Sequence, residues 1–308
     1  MKNLKTIISI LIVVVFMALM INIKQESQKD IKSSKAMISL STFSLYDIAK
    51  HIAGDSVELV MILPFGVDPH SFEPTPKLMA KILKSDLVVY SGAGLEPWTE
   101  GFDFQGRVID MSSYVKLREV GEHHNHSGHH HNTHFDPHYW LDINNMILAT
   151  NIITDELIQI SPENKDLYMK NKDKYILELQ QLDDEYKKKL SICKGDTIIL
   201  NHNAFSYMAN NYGFHVKSLS GLSPEAQPSA KKMVELIKEI NKEKIPVVFF
   251  ESFANAKAIK SVANEANITV DVLHPLANIT ADEAKENLTY KDIMKQNLKA
   301  ISKALRCQ

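Results

Sequence analysis

Short apolar runs alternate with amphipathic segments along the chain from Met37 onward. In the first half, MISLST, VELVMIL, LVVYSG and RVIDMS have the length and β-branched content of buried strands. In the second half, TIILN, FHVKSL, PVVFFES and ITVDVL repeat this arrangement, with helical patterns between them. Regular alternation of strands and helices predicts an α/β fold with mainly parallel sheets in both halves.

A long, strongly charged segment with a Ser-Pro-Glu start lies between the two halves. Tyr168, Tyr175, Leu179 and Leu182 recur in it at helical spacing, which indicates one apolar stripe. A helix of about 28 residues would extend about 40 Å, long enough to run the length of a domain. The segment is therefore predicted to be a stiff connector. The predicted division is an N-terminal lobe at 37–160, a linker helix at 161–192 and a C-terminal lobe at 193–308.

The N-terminus has the pattern of an export signal. Lys2 and Lys5 precede the apolar run at residues 7–23, and a polar stretch, KQESQKDIKSSK, follows it. We interpret residues 1–25 as a signal peptide or uncleaved membrane anchor and 26–36 as a polar tether. The predicted location is the extracellular face of the membrane or the periplasm. Because no cysteine follows the apolar run, lipid attachment at that point is excluded.

Composition narrows the function classes. The chain has 308 residues, 44% of them hydrophobic, and a formal net charge of -2, so it has no basic excess for binding nucleic acid. Cys193 and Cys307 are too few for a disulfide scaffold. One bridge and two unpaired thiols both remain open, because a sequence does not supply the distance that a disulfide requires.

One segment is unusually rich in histidine: seven of the 13 histidines fall at positions 123–134. Imidazole is the commonest protein ligand for transition metals. A purification tag does not explain an internal, interrupted run, whereas a polar low-complexity loop without a role remains an alternative. We predict an accessory metal-collecting loop at 121–135. Its histidines are His123, His124, His126, His129, His130, His131 and His134.

Four isolated histidines share another property. His70, His138, His202 and His274 each lie at or beyond the carboxyl end of a predicted strand, where open α/β sheets bind ligands. Two belong to each half, so a site built from them would lie between the lobes. Four imidazoles suit tetrahedral Zn²⁺ and disfavour Mn²⁺ and Mg²⁺, which prefer carboxylate and water. His51 and His215 do not fit this pattern, and we interpret them as structural.

Several acids lie close to these histidines in sequence. Four acids lie within or just after the two Asp-Pro-His motifs: Asp68, Glu73, Asp136 and Asp142. Each is a candidate to accept a hydrogen bond from the ring nitrogen of a histidine ligand that does not face the metal. For Asp142, which directly precedes a predicted helix, capping is the favoured role. For Glu251 we favour structural hydrogen bonding over metal ligation.

The motifs GVDPHSFEPTP, SDLVVYSGAGLEPW, DPHYWLD, NHNAFSYMANNYGF and GLSPEAQPS occur in this order within residues 37–305. Together they resemble the cluster A-I solute-binding proteins of zinc and manganese ABC importers. The resemblance implies two Rossmann-like lobes, each a mainly parallel sheet flanked by helices, joined by one long rigid linker helix. It also implies a monomer that binds metal between its lobes. The metal would be delivered to a membrane permease with a cytoplasmic ATPase.

The resemblance extends to individual ligands. His70, His138 and His202 match the first three ligand positions of the family, and histidine at the third indicates the zinc branch. His274 matches the fourth position, which is often an acid, and water is the alternative there. The absence of a cysteine after the apolar run is a second departure from the family. Because imidazoles bind metal only when deprotonated, we expect zinc binding to weaken as the pH falls through about 6.5.

The predicted function is a high-affinity receptor that delivers Zn²⁺ to an ABC importer. One alternative is a manganese- or iron-binding relative that also acts as a surface adhesin. Another is a zinc metalloenzyme, with three histidines and a water molecule on the metal. The chain has no HExxH motif. A fourth protein ligand would also close the site, so we predict that the protein is not an enzyme. A stiff linker favours small local movement over wide hinge closure.

Overall fold

The computed structural model describes residues 35–120, 134–222, 229–251 and 257–308. The predicted signal or anchor at 1–25 and nearly all of the tether lie outside the described residues. Within the described ranges, no helix is both long and apolar enough to cross a membrane.

The first lobe is built on a four-stranded parallel sheet with the strand order β2-β1-β3-β4. Its apolar runs fold into the sheet because both faces are covered, and Ile38, Leu40 and Leu87–Val89 are fully buried. The strands are β1 (Met37–Leu40), β2 (Glu58–Met61), β3 (Leu87–Tyr90) and β4 (Arg107–Asp110).

The second lobe contains a second four-stranded parallel sheet with the order β10-β9-β7-β8. Its strands are β7 (Thr197–Leu200), β8 (His215–Ser218), β9 (Val247–Glu251) and β10 (Thr269–Leu273). The predicted fold class, two parallel α/β lobes, is therefore confirmed.

The helices pack around these sheets. They are α1 (Phe43–Ala53), α2 (Pro76–Ile82), α3 (Ile143–Ile160), α4 (Lys165–Leu190), α5 (Ser206–Tyr212), α6 (Ala230–Glu243), α7 (Lys257–Ala266), α8 (Ala281–Lys285) and α9 (Tyr290–Ala304). The Thr75 hydroxyl caps α2 by accepting a hydrogen bond from the Leu78 amide, and Pro76 lies in the first turn. The sequence pattern predicts one helix from Lys285 onward. This prediction is wrong at its start, because α8 ends at Lys285 and a capping box of Thr289 and Asp292 starts α9 at Tyr290.

The linker helix α4 falls within the range 161–192 predicted for it, and its apolar stripe is buried as expected. In its first half, the Tyr175 hydroxyl donates to Asp47 of α1 at 2.8 Å. Near its end, the Tyr186 hydroxyl donates to the Met294 carbonyl of α9 at 2.6 Å. One helix therefore packs against both lobes, and the segment Ala36–Gln308 forms one compact unit.

A short antiparallel pair does not appear in the sequence prediction. Strand β5 (Arg118–Val120) pairs with β6 (His134–Asp136), so the two strands bracket the histidine-rich segment. Residues 121–133 themselves lie outside the described residues.

The two cysteines are joined. Cys193, just after α4, forms a disulfide with Cys307, 114 positions later. The bridge ties the end of the linker helix to the end of α9 and resolves the question that the sequence leaves open.

Candidate metal centre

Three of the four predicted ligands meet in one place. The Nε2 atom of His138 lies 3.3 Å from Nε2 of His70 and 3.4 Å from Nε2 of His202. One ligand atom from each of the three lies within 4.8 Å of the others. A tetrahedral zinc ion with Zn–N bonds of 2.0–2.1 Å requires nitrogen–nitrogen separations of about 3.3–3.4 Å. The two shortest separations therefore match that geometry.

The Asp-Pro-His motifs set the backbone of two of these residues. Asp68 accepts a hydrogen bond from the His70 amide at 2.8 Å. Asp136 accepts one from the His138 amide at 2.9 Å. In each motif the aspartate closes a local turn and the proline restricts φ, so the histidine is presented by a stiff segment. His202 reaches the same place by following β7 at the carboxyl end of the second sheet.

A carboxylate lies beside the Nδ1 atom of two of the rings. An oxygen of Asp136 lies 2.7 Å from Nδ1 of His138. The carboxylate of Glu251, the last residue of β9, contacts Nδ1 of His202. Both contacts occupy the Nδ1 side and leave Nε2 facing the cluster, as is usual for histidine ligands of metals.

Burial shifts the pKa values of three groups at the site. It lowers the pKa of His70 to about 3, with a further contribution from nearby His138. Burial and the two neighbouring histidines hold the pKa of His202 well below its ordinary value. Burial also raises the pKa of Glu251. His70 and His202 therefore stay neutral, with a lone pair free to bind metal, at pH values well below 6.5. The sequence alone suggests that binding weakens near pH 6.5.

The histidines enclose a very small cavity of about 20 Å³. A single water molecule needs roughly 10–15 Å³ by the same measure, so the cavity has room for one ion or one water and excludes larger ligands. Its remaining lining residues are Asp68, Pro69, Glu251, Pro275 and Ala277.

The structure does not bring His274 to the other three. Its ring is buried, Nδ1 accepts a hydrogen bond from the Leu276 amide at 3.0 Å, and Nε2 lies 3.4 Å from Glu283. The turn after β10 holds the imidazole through these contacts. Ala277, three positions later, lines the cavity instead.

The remaining histidines and two of the acids named from the sequence lie outside the three-histidine cluster or outside the described residues. His51 contacts Asp47 within α1, and His215 is exposed at the start of β8. Asp142 caps α3 by accepting from the Asn144 amide, as favoured. Of the histidine-rich loop, His134 begins β6 and the other six histidines lie outside the described residues. Glu251, for which a structural role was favoured over metal ligation, contacts Nδ1 of His202 from the end of β9.

Two parallel-sheet lobes with buried imidazoles clustered between them define a class of two-lobed metal-binding proteins. Comparison with known sequences specifies the family. The profile described as "Zinc-uptake complex component A periplasmic" (ZnuA) matches residues 38–304, and the chain belongs to this family.

Individual relatives agree with this assignment. The zinc-binding lipoprotein AdcA of Streptococcus pneumoniae strain R6 is 33% identical over 284 residues, which cover 87% of this chain and 55% of AdcA. The chain thus spans about half the length of that relative. The high-affinity zinc uptake system protein ZnuA of Bacillus subtilis is 31% identical, with 92% of each chain covered. The Zn(II)-bound ZnuA-like domain of Streptococcus pneumoniae AdcA superimposes with a TM-score of 0.74 at 31% identity, covering 88% of this chain and 99% of the domain.

Proposed function

We propose that the protein is an extracellular receptor that binds Zn²⁺ between its lobes and delivers it to the permease of an ABC importer. This proposal rests on the distances from Nε2 of His138 to Nε2 of His70 and Nε2 of His202. Both distances suit one tetrahedral zinc ion. Family membership supports the transport role.

The proposed ligands are His70, His138 and His202. Three imidazole ligands favour zinc over manganese and magnesium, which take oxygen ligands. Copper(II) would also bind tightly, so the choice between zinc and copper depends on which metal is available. The fourth position is proposed to be filled by water in the small cavity beside Ala277 rather than by His274.

The protein is proposed to carry the metal rather than use it in a reaction. The family is one of zinc uptake, and a cavity of about 20 Å³ leaves no space for an organic substrate beside a bound ion. Hydrolysis of model esters by the zinc-loaded protein would support the metalloenzyme alternative instead.

Export and partners follow from the same role. We propose that residues 1–25 direct export or anchor the protein. The protein would then act as a monomer at the cell surface or in the periplasm. It would hold the ion between the lobes at 37–160 and 193–308. The histidine-rich loop at 121–135 would raise the local zinc concentration without forming the tight site.

Metal titration tests the proposal. The purified full chain is titrated with Zn²⁺ and, separately, with Mn²⁺, alongside His138→Ala and the control His51→Ala. We expect one tight zinc site in the wild type and in the control, and much weaker zinc binding in His138→Ala. Tighter binding of Mn²⁺ than of Zn²⁺ would instead support the alternative of a manganese- or iron-binding adhesin.

A further inference from the structure

Asp136 makes more contacts than orienting one ligand requires. Its side chain is fully buried, and its Oδ1 faces both the main-chain amide and Nδ1 of His138, at 2.9 and 2.7 Å. Its second oxygen, Oδ2, accepts a hydrogen bond from the hydroxyl of Ser206. A buried carboxylate needs several donors to be stable, and Asp136 takes them from both lobes.

The same residue is held a second time from the second lobe. The Tyr207 hydroxyl donates to the main-chain carbonyl of Asp136 at 2.7 Å, and it accepts from the Arg118 amide at 2.9 Å. Ser206 and Tyr207 begin α5, only four and five positions after His202. The segment that carries the second-lobe ligand is therefore bonded directly to the residue that orients the first-lobe ligand.

We propose that Asp136 is a positioning residue that couples zinc retention to contact between the lobes, through Ser206 and Tyr207. This inference rests on the proposed function. When the ion is bound, His138 keeps its orientation only while α5 stays against Asp136. Loss of the Ser206 contact frees one carboxylate oxygen, loosens the His138 ring, and lets the ion leave sooner.

Two other hydrogen bonds between the lobes lack this feature. The Ser44 hydroxyl of α1 donates to the Leu276 carbonyl at 2.7 Å, and the Trp140 indole donates to the Pro275 carbonyl at 2.8 Å. Each joins the lobes through a main-chain oxygen without a carboxylate that orients a ligand. Ser44 thus provides a matched control: a serine hydroxyl whose loss removes an interlobe hydrogen bond and leaves Asp136 unchanged.

The test is the rate of zinc release. The full chain is loaded with one equivalent of Zn²⁺ and mixed in a stopped-flow instrument with excess chromogenic chelator, pyridylazoresorcinol. Loss of an outer partner of a metal ligand typically weakens metal binding by 10–100-fold, so we expect release from Ser206→Ala to be about tenfold faster than wild type. Tyr207→Phe should also release faster, and it provides the measurement if Ser206→Ala does not fold. Ser206→Thr, which keeps the hydroxyl, should restore slow release.

The outcomes separate the two proposals. Fast release in Ser206→Ala with near-wild-type release in Ser44→Ala and Ser206→Thr supports the coupling. Equal rates in Ser206→Ala and Ser44→Ala, or wild-type rates in both Ser206→Ala and Tyr207→Phe, overturn it while leaving the zinc receptor intact. A wild-type protein that binds no zinc tightly overturns the proposed function and the coupling with it.

Discussion

His138 and His202 bring their Nε2 atoms to 3.4 Å, although they are 64 positions apart and belong to different lobes. Their Nδ1 atoms face Asp136 and Glu251, and their Nε2 atoms face a common centre. Carboxylates beside both rings reduce the freedom that the rings lose on metal binding, and this favours tight binding.

The position of His274 predicts how two histidine variants will differ. His274→Ala should keep the tight zinc site and lower stability by about 1–3 kcal/mol, because the buried Leu276 amide loses its acceptor. His70→Ala should weaken zinc binding by more than about 100-fold, beyond the effect of removing an outer partner. Zinc calorimetry and urea unfolding of both variants distinguish these effects. Loss of the tight site in His274→Ala would restore His274 as the fourth ligand.

The lowered pKa of His70 predicts how the metal-free protein responds to acid. The folded-state pKa is about 3, whereas the unfolded chain binds this proton near 6.5. Between pH 6.5 and about 3, the unfolded state binds a proton at His70 that the folded state does not. The contribution of His70 to the free energy of unfolding is therefore complete above pH 6.5 and is lost as the pH falls towards 3. The slope is up to about 1.4 kcal/mol per pH unit for one proton.

This prediction is checked by urea unfolding of metal-free protein at about pH 6.5, 5.5 and 4.5. His70→Gln cannot titrate, so its unfolding free energy should fall less steeply with acid than that of the wild type. Parallel curves for the two proteins would mean that His70 is protonated in the folded state.

The linker helix offers a packing test with an internal control. Leu179 is 1% exposed in the apolar stripe of α4, whereas Leu177, two positions earlier, is 54% exposed. Leu179→Ala should lower the free energy of unfolding by about 2–5 kcal/mol through lost burial and a residual cavity. Leu177→Ala should change it by less than about 0.5 kcal/mol. Similar losses in both variants would contradict the observed orientation of the helix.

The disulfide should affect stability and leave metal binding unchanged. The bridge between Cys193 and Cys307 closes a loop with a sequence separation of 114, which restricts the unfolded chain. The double variant Cys193→Ser, Cys307→Ser should lose about 2–4 kcal/mol of unfolding free energy. Because the bridge joins the ends of α4 and α9 and neither cysteine lines the cavity, zinc affinity should remain at the wild-type value. A large loss of affinity would show that the bridge supports the site.

Much of the architecture was predictable because its signals are local. Eight apolar runs became the eight strands of the two parallel sheets, since buried parallel strands are apolar on both faces. The places of His70 and His202 agree with one rule, that open α/β sheets bind ligands at the carboxyl ends of such strands. His138 instead follows β6 of the short antiparallel pair.

Several features of the structure depend on contacts that sequence spacing does not encode. Strands β5 and β6 have three residues each, too short and too polar to show a period. His274 occupies a suitable strand end, yet a turn hydrogen bond from Leu276 holds its ring. The contact of Glu251 with His202 depends on the neighbouring positions of β9 and β7 in the sheet, which chain order does not reveal.

Zinc calorimetry on three forms of the full chain tests whether the isolated histidines form the tight site: intact, lacking residues 123–134, and His202→Ala. We expect one tight site to survive deletion of the histidine-rich loop and to be lost or severely weakened in His202→Ala. Loss of the tight site on loop deletion, with tight binding kept in His202→Ala, would contradict this expectation.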